Sequence, residues 1–110
     1  MKPGCSLIAY LHARPEKRDE LLKLLNTFVK PTRAEPGCVD YHFHVSNRDS
    51  NLFIFYENWR SRRDLDEHLQ TPILSSFVTA SPDGSISSRR LDLLQKDVEI
   101  QYITMLSDPD

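Results

Sequence analysis

The sequence predicts an α+β fold in which an antiparallel sheet carries helices on one face. Several stretches show the period-two alternation, or the aromatic and β-branched content, of strands. One long stretch repeats apolar residues on a single helical face, and two short capped helices precede the last strand. The order strand, helix, strand, strand, helices, strand is the split βαβ plan, also called ferredoxin-like.

Length and composition predict one soluble globular domain. We expect residues 1–110 to form a single unit with a core from about 5 to about 106. Charged residues make up 27% and the net charge is −2, so no basic surface favours nucleic acid. The longest strongly apolar stretch, Leu52 to Tyr56, is far shorter than the roughly 18 residues of a membrane helix. We therefore expect a cytoplasmic protein with no nucleic acid or membrane partner.

The first part of the chain predicts a strand followed by a helix. Alternation runs from Cys5 to Ala13, and Pro15 suits the first turn of the helix. The apolar face of this helix consists of Leu21, Leu22, Leu24, Leu25, Phe28 and Val29. The helix should kink or stop near Pro31, because proline lacks the amide hydrogen and clashes with the preceding turn.

A β-hairpin is predicted next, after the EPG tripeptide at 35–37. The segments CVDYHFHV and LFIFYENW flank the polar loop SNRDSN. In the first strand, the residues expected on one face are Val39, Tyr41, Phe43 and Val45. In the second strand, one side carries Phe53, Phe55, Glu57 and Trp59, and the other carries Leu52, Ile54 and Tyr56. Neither side is polar, so we expect the face that the helices leave open to be covered as well.

Two short helices and a last strand complete the prediction. Ser61 with Asp64 indicates a capping box, and Thr71-Pro72 indicates a cap followed by proline at the first helical position. In chain order, these elements are helices near 61–70 and 72–80, a turn at 81–84, an ambiguous stretch of one or two helical turns at 87–95, and a strand from Val98.

Glu57, Trp59 and His68 are expected to line one pocket, because the second strand of the hairpin points Glu57 and Trp59 to one face and the following helix brings His68 over that face. An unperturbed histidine titrates near pH 6.5, so His68 is the best candidate for a proton acceptor. Structural roles are the alternative: Trp59 as a core anchor and His68 as a packing residue. Glu57 could simply pair with Arg89 or Arg90.

A metal site is a rival hypothesis. Asp40, His42 and His44 share one strand face, and His12 across the sheet could add a ligand. Histidines on a wet strand face are usually ordinary polar side chains, so we predict no metal. With only three glycines, the chain has no glycine-rich phosphate loop or dinucleotide fingerprint, so we do not expect a nucleotide-dependent enzyme.

The segments EPGCVDY, FYENW and LDEHLQTP resemble, in order and spacing, the antibiotic-biosynthesis-monooxygenase domain of the dimeric α+β barrel group. The resemblance extends from about residue 7 to about residue 104. It implies a homodimer whose sheets pack face to face, with a ligand pocket between sheet and helices in each subunit. It also assigns the motif positions, and with them the candidate catalytic roles, to Glu57, Trp59 and His68, with Tyr41 at the aromatic position of the second strand.

The resemblance implies a cofactor-independent monooxygenase acting on a small electron-rich aromatic such as a quinol, an anthrone or a phenol. The substrate would lose a proton to His68 and pass one electron to O₂, with Trp59 or Tyr41 as hydrogen-bond donor. The residues expected to bind the aromatic ring are Tyr41, Phe43, Phe53 and Phe55. Two alternatives stay open: a non-catalytic dimeric module that binds a small molecule, and an isomerase of a small hydroxy-ketone.

The chain also departs from this family. Many members carry a second histidine after Thr-Pro, where this chain has Ile73. The first strand lacks the asparagine that the haem-degrading branch uses. We therefore expect no haem.

Overall fold

The computed structural model describes residues 2–78 and 92–109. In chain order the elements are β1 (Cys5–His12), a 3₁₀ turn (Pro15–Lys17), α1 (Arg18–Arg33), β2 (Cys38–Val45), β3 (Leu52–Trp59), α2 (Arg62–Leu69), α3 (Pro72–Val78) and β4 (Glu99–Ile103). The described strands form one antiparallel sheet in the order β2-β3-β1-β4, so the predicted α+β, ferredoxin-like fold is confirmed. The turn predicted at 81–84 and most of the stretch at 87–95 lie outside the described residues.

Helix α1 accommodates its proline in the last turn. Pro15 starts a separate 3₁₀ turn, and the α-helix proper begins at Arg18. The helix passes through Pro31 and ends at Arg33, two residues beyond the proline. Thr32 is only 1% exposed, so this last turn is anchored on the core despite the missing amide hydrogen.

A β-bulge changes the faces predicted for β2. Cys38 pairs with Trp59 and Asp40 pairs with Asn58, which leaves Val39 as the extra residue. The prediction that Val39 shares the inner face is therefore wrong: its side chain is 54% exposed. Cys38 takes the inner position beside Trp59, because the bulge shifts the alternation by one residue.

The two faces of β3 have different neighbours. Its aromatic side packs with α1, α2 and α3 in one core, so helices of the same chain cover it. That side by itself therefore requires no partner subunit. The opposite side is half-buried and mixes apolar residues with a polar network, in which the Asn58 amide donates to Asp40 and Tyr56 and accepts from Ser6.

The starts of α2 and α3 follow the predicted signals. The Ser61 hydroxyl accepts the backbone N–H of Asp64 at 3.2 Å, and α2 begins at the next residue after Ser61. Pro72 is the first residue of α3. Within residues 2–78 and 92–109, no helix has both the length and the apolar character needed to cross a bilayer.

Candidate active site

The candidate residues meet where β2, β3 and α2 converge. Glu57 and Trp59 lie on the helix-covered face of β3, and α2 turns back over that face. The His68 ring packs on the Trp59 ring, with centroids 4.6 Å apart. Tyr41, the register partner of Glu57 on β2, places its ring centroid 5.7 Å from that of His68. The structure thus brings four of the predicted residues into one buried cluster.

A carboxylate that the sequence analysis did not select holds His68. Glu35 Oε2 lies 2.7 Å from His68 Nδ1, and the histidine is 1% exposed. An ionised carboxylate only accepts hydrogen bonds, so this contact assigns the proton of the neutral ring to Nδ1 and the lone pair to Nε2. Burial lowers the pKa of His68, and the Glu35 carboxylate opposes that shift. The ring is therefore arranged as an oriented neutral base.

The EPG tripeptide does more than separate a helix from a strand, because it positions Glu35. A Cβ at Gly37 would lie 2.2 Å from Asp64 Cγ, so only glycine allows the loop to approach the start of α2 this closely. The Gly37 carbonyl also accepts the Arg60 N–H at 2.9 Å. The residues next to Glu35 in the sequence do not indicate that its carboxylate contacts a distant residue. The sequence pattern therefore did not reveal the role of Glu35.

The Glu57 carboxyl is paired with the indole of Trp59. Trp59 Nε1 donates to Glu57 Oε1 at 3.0 Å, and the glutamate is 6% exposed. Burial raises the pKa of Glu57 to about 7, while the indole hydrogen bond lowers it. The Trp59 N–H is thus engaged with Glu57. Arg89 and Arg90, the partners considered from sequence, lie outside the described residues.

Tyr41 keeps its phenolic proton over the whole physiological range. Burial raises its pKa far above the usual value, and the Glu57 charge acts in the same direction. Its ring lies 4.9 Å from the Phe55 ring, measured between centroids. The Tyr41 hydroxyl can therefore donate a hydrogen bond but is a poor acid.

A small apolar cavity adjoins this cluster between the sheet and the helices. Its volume is about 40 Å³, enough for roughly three water molecules. Polar side chains among the described lining residues are those of Tyr41, Glu57, His68 and Tyr102. The apolar lining comprises Leu7, Ala9, Leu11, Leu25, Phe28, Phe55, Leu65, Leu69, Leu74, Phe77, Val98 and Ile100.

The other predicted residues lie beside the cavity. Trp59 is fully buried behind Glu57 and His68 and is not among the described lining residues. Phe43 and Phe53 are also not among them: they continue the aromatic row of the sheet, with Phe43 stacked at 4.8 Å on Phe55. Of the predicted ring-binding residues, only Tyr41 and Phe55 reach the cavity wall.

The histidines of β2 lie on the opposite face of the sheet. The His42 and His44 rings are 6.5 Å apart, and His42 Nε2 is 3.8 Å from Asp40 Oδ1. His12 is on β1, and β3 lies between β1 and β2. Across the described ranges, no three potential ligands come close enough to hold a metal ion.

Fold and site together define a ferredoxin-like α+β domain with a carboxylate-oriented histidine on an apolar cavity. The sequence profile of the antibiotic biosynthesis monooxygenase family matches residues 5–80, and the chain belongs to this family. An uncharacterized protein of Synechocystis sp. is 41% identical over 91 residues, which are 83% of this chain and 56% of that protein. The match therefore spans little more than half the length of this relative.

Two further proteins are similar to this chain. Rv0793 of Mycobacterium tuberculosis, whose name marks it as a candidate monooxygenase, is 40% identical over 72 residues, 66% of this chain and 70% of that protein. The solved structure of Rv0793 has a TM-score of 0.79 at 28% identity, over 96% of this chain and 98% of that one. PA3566 of Pseudomonas aeruginosa has a TM-score of 0.82 at 33% identity, over 97% and 98%.

Proposed function

We propose that this protein is a cofactor-independent monooxygenase of a small, electron-rich aromatic of the quinol, anthrone or phenol type. The observation that carries the proposal is the buried His68, which Glu35 orients at 2.7 Å and which lines an apolar cavity. Membership of the monooxygenase family supports the same reaction class. Dioxygen is the oxidant, and the substrate supplies the electrons.

In this mechanism His68 Nε2 removes a proton from the bound substrate. The imidazolium that forms is stabilised by the Glu35 carboxylate, as a carboxylate stabilises the histidine of a hydrolytic triad. The Tyr41 hydroxyl stays protonated and donates a hydrogen bond to the oxygen that gains charge. The apolar walls exclude water, so the substrate anion transfers its electron to O₂ within the cavity.

Substrate size sets a condition on this proposal. A cavity of about 40 Å³ is much smaller than the several hundred Å³ of a usual ligand site, so binding must displace lining side chains. The same small volume favours a second candidate, an isomerase of a small hydroxy-ketone with His68 moving the proton. A binding module without turnover remains the non-catalytic alternative.

The proposed enzyme is a homodimer formed through the open face of the sheet. Half-buried apolar side chains on this face are those of Ile8, Tyr10, Leu52, Ile54, Tyr56 and Ile103. Pairing two such faces would remove this apolar surface from water. The pocket lies on the opposite side of the sheet, so each subunit keeps its own site.

The test is oxygen uptake with a panel of quinols, anthrones, phenols and small hydroxy-ketones. Wild type should consume O₂ with one of the aromatics, and His68→Ala should lower kcat by roughly 10²- to 10⁴-fold, as for a positioned base. Glu67→Ala, which removes an exposed side chain next to His68 on α2, is the matched control. Equal rates for wild type and His68→Ala would exclude His68 as the base. Turnover of a hydroxy-ketone without O₂ uptake would establish the isomerase instead.

A further inference from the structure

The Glu57 carboxyl is buried without a charged partner among the described residues. Its one hydrogen bond there comes from the neutral indole of Trp59, which occupies Oε1. Glu57 also lines the cavity, as does His68. A buried carboxyl with a single neutral donor is poorly stabilised as an anion, so this position favours the protonated acid.

Within residues 2–78 and 92–109, the surroundings of Glu57 supply no positive charge that would reverse this preference. The titratable groups that face it from the described elements are Cys5 on β1, Cys38 and Tyr41 on β2, Tyr102 on β4, His68 on α2 and Glu35 before β2. The Glu35 carboxylate acts in the same direction as burial and raises the pKa of Glu57. Because its pKa is raised to about 7, about half of the Glu57 carboxyl is protonated at neutral pH.

We propose that Glu57 is the general acid of this site, held through Oε1 by Trp59 and delivering its proton to the oxygen that leaves the substrate as water. This inference rests on the proposed oxygenase function and adds a step to it. Trp59 is then a positioning residue, because its N–H fixes the carboxyl group without touching the substrate. In this proposal His68 is the general base and Glu57 is the general acid.

The proton balance of such an oxidation requires two groups. An anthrone-type CH₂ reacts with O₂ to give a carbonyl and one water. In the first half, His68 takes one C–H proton, a C–O bond forms with O₂, and the imidazolium returns the proton to give a hydroperoxide. In the second half, His68 takes the remaining C–H proton, that electron pair forms the carbonyl, and the O–O bond breaks. The departing hydroxide takes the proton of Glu57 and leaves as water, and solvent restores both groups.

Glu57 suits this role better than its neighbours. General acids work best when their pKa lies near the operating pH, and the pKa of Glu57 is raised to about 7. Tyr41 holds its proton too tightly, because burial raises its pKa far above that range. The Trp59 N–H already donates to Glu57.

The decisive variant is Glu57→Gln, assayed separately for peroxide and for carbonyl product. Glutamine keeps the shape and an oxygen for the Trp59 N–H but has no proton to transfer. We expect O₂ uptake to persist, a hydroperoxide to accumulate, and carbonyl formation to fall roughly 10²- to 10⁴-fold. Glu35→Gln, the matched control, should slow both halves together because it acts through His68. Carbonyl formation by Glu57→Gln at the wild-type rate, without peroxide, would overturn the inference.

A second measurement separates this inference from the proposed function. Infrared spectra of wild type at pH 6 should contain a carboxylic-acid C=O band that Glu57→Gln lacks, and the band should shift when menadione, a stable quinone, is bound. If wild type consumes no O₂ with any compound of the panel, the oxygenase proposal fails, and with it the acid step. If O₂ is consumed but the Glu57 band is absent, the function stands and Glu57 is not the acid.

Discussion

Glu35 Oε2 and His68 Nδ1 lie 2.7 Å apart, although 33 residues separate them in the sequence. The loop before β2 carries the carboxylate, and the helix after β3 carries the histidine. Their contact brings the segment before the β2–β3 hairpin and the helix after it to one site. The contact defines the tautomer of a buried histidine, as the proposed role of His68 as a base requires.

The first prediction concerns this pair. Glu35→Gln should lower the pKa of His68 further, because the carboxylate raises it against the effect of burial. A hydrogen bond to a charged group contributes about 1.5–3 kcal/mol, so kcat should fall roughly 10- to 100-fold. Proton NMR titration of the ring and steady-state kinetics measure the two effects. Glu20→Gln, on the surface of α1, should change neither.

The second prediction concerns Trp59. Trp59→Phe keeps an aromatic ring against His68 but removes the N–H that lowers the pKa of Glu57, so that pKa should rise above its present value of about 7. Carbon-13 NMR of labelled glutamate carboxyls would record the shift. An unchanged titration of Glu57 would mean that the indole hydrogen bond is not formed in solution. The loss of kcat should be smaller than in His68→Ala.

The third prediction concerns stability and pH. The pKa of Glu57 is raised from 4.5 to about 7, so the folded state binds more protons than the unfolded chain between these values. The stabilisation that protonated Glu57 gives the folded state is complete below about pH 4.5 and is lost as pH rises through 7. The total loss in the free energy of unfolding is about 3 kcal/mol. Glu57→Gln should therefore gain stability relative to wild type between pH 5 and pH 8. Urea unfolding at both pH values measures this, and a pH-independent difference would contradict it.

The fourth prediction concerns assembly. Wild type should be a dimer by light scattering at micromolar concentration, with an interface of roughly 1,600 Å² or more. Ile54→Lys places a charge on the open face of β3 and should give monomers, because a lysine cannot be buried there without a partner. Asn26→Lys, the same charge change on the exposed side of α1, should leave the dimer intact. A monomer mass for wild type would contradict the proposed interface.

Local patterns in the sequence were sufficient for the elements of the fold. Alternation marked β1, β2 and β4, the spacing of apolar residues marked α1, and Ser61 and Pro72 marked the starts of the two short helices. These features depend on residues within a few positions of each other, so they can be read without knowing the path of the chain. The grouping of Glu57, Trp59 and His68 also followed, since a strand and the helix after it fold back on each other.

Only the tertiary structure decided how that group is connected. The bulge at Val39, the carboxylate of Glu35 and the pairing of Trp59 with Glu57 each depend on contacts between segments. No periodicity encodes such contacts, because a hydrogen bond across 33 residues is set by the packing of loop, sheet and helix together. The sequence therefore determined which side chains were available for chemistry, whereas the packing determined which of them hold a proton, orient a neighbour or face the cavity.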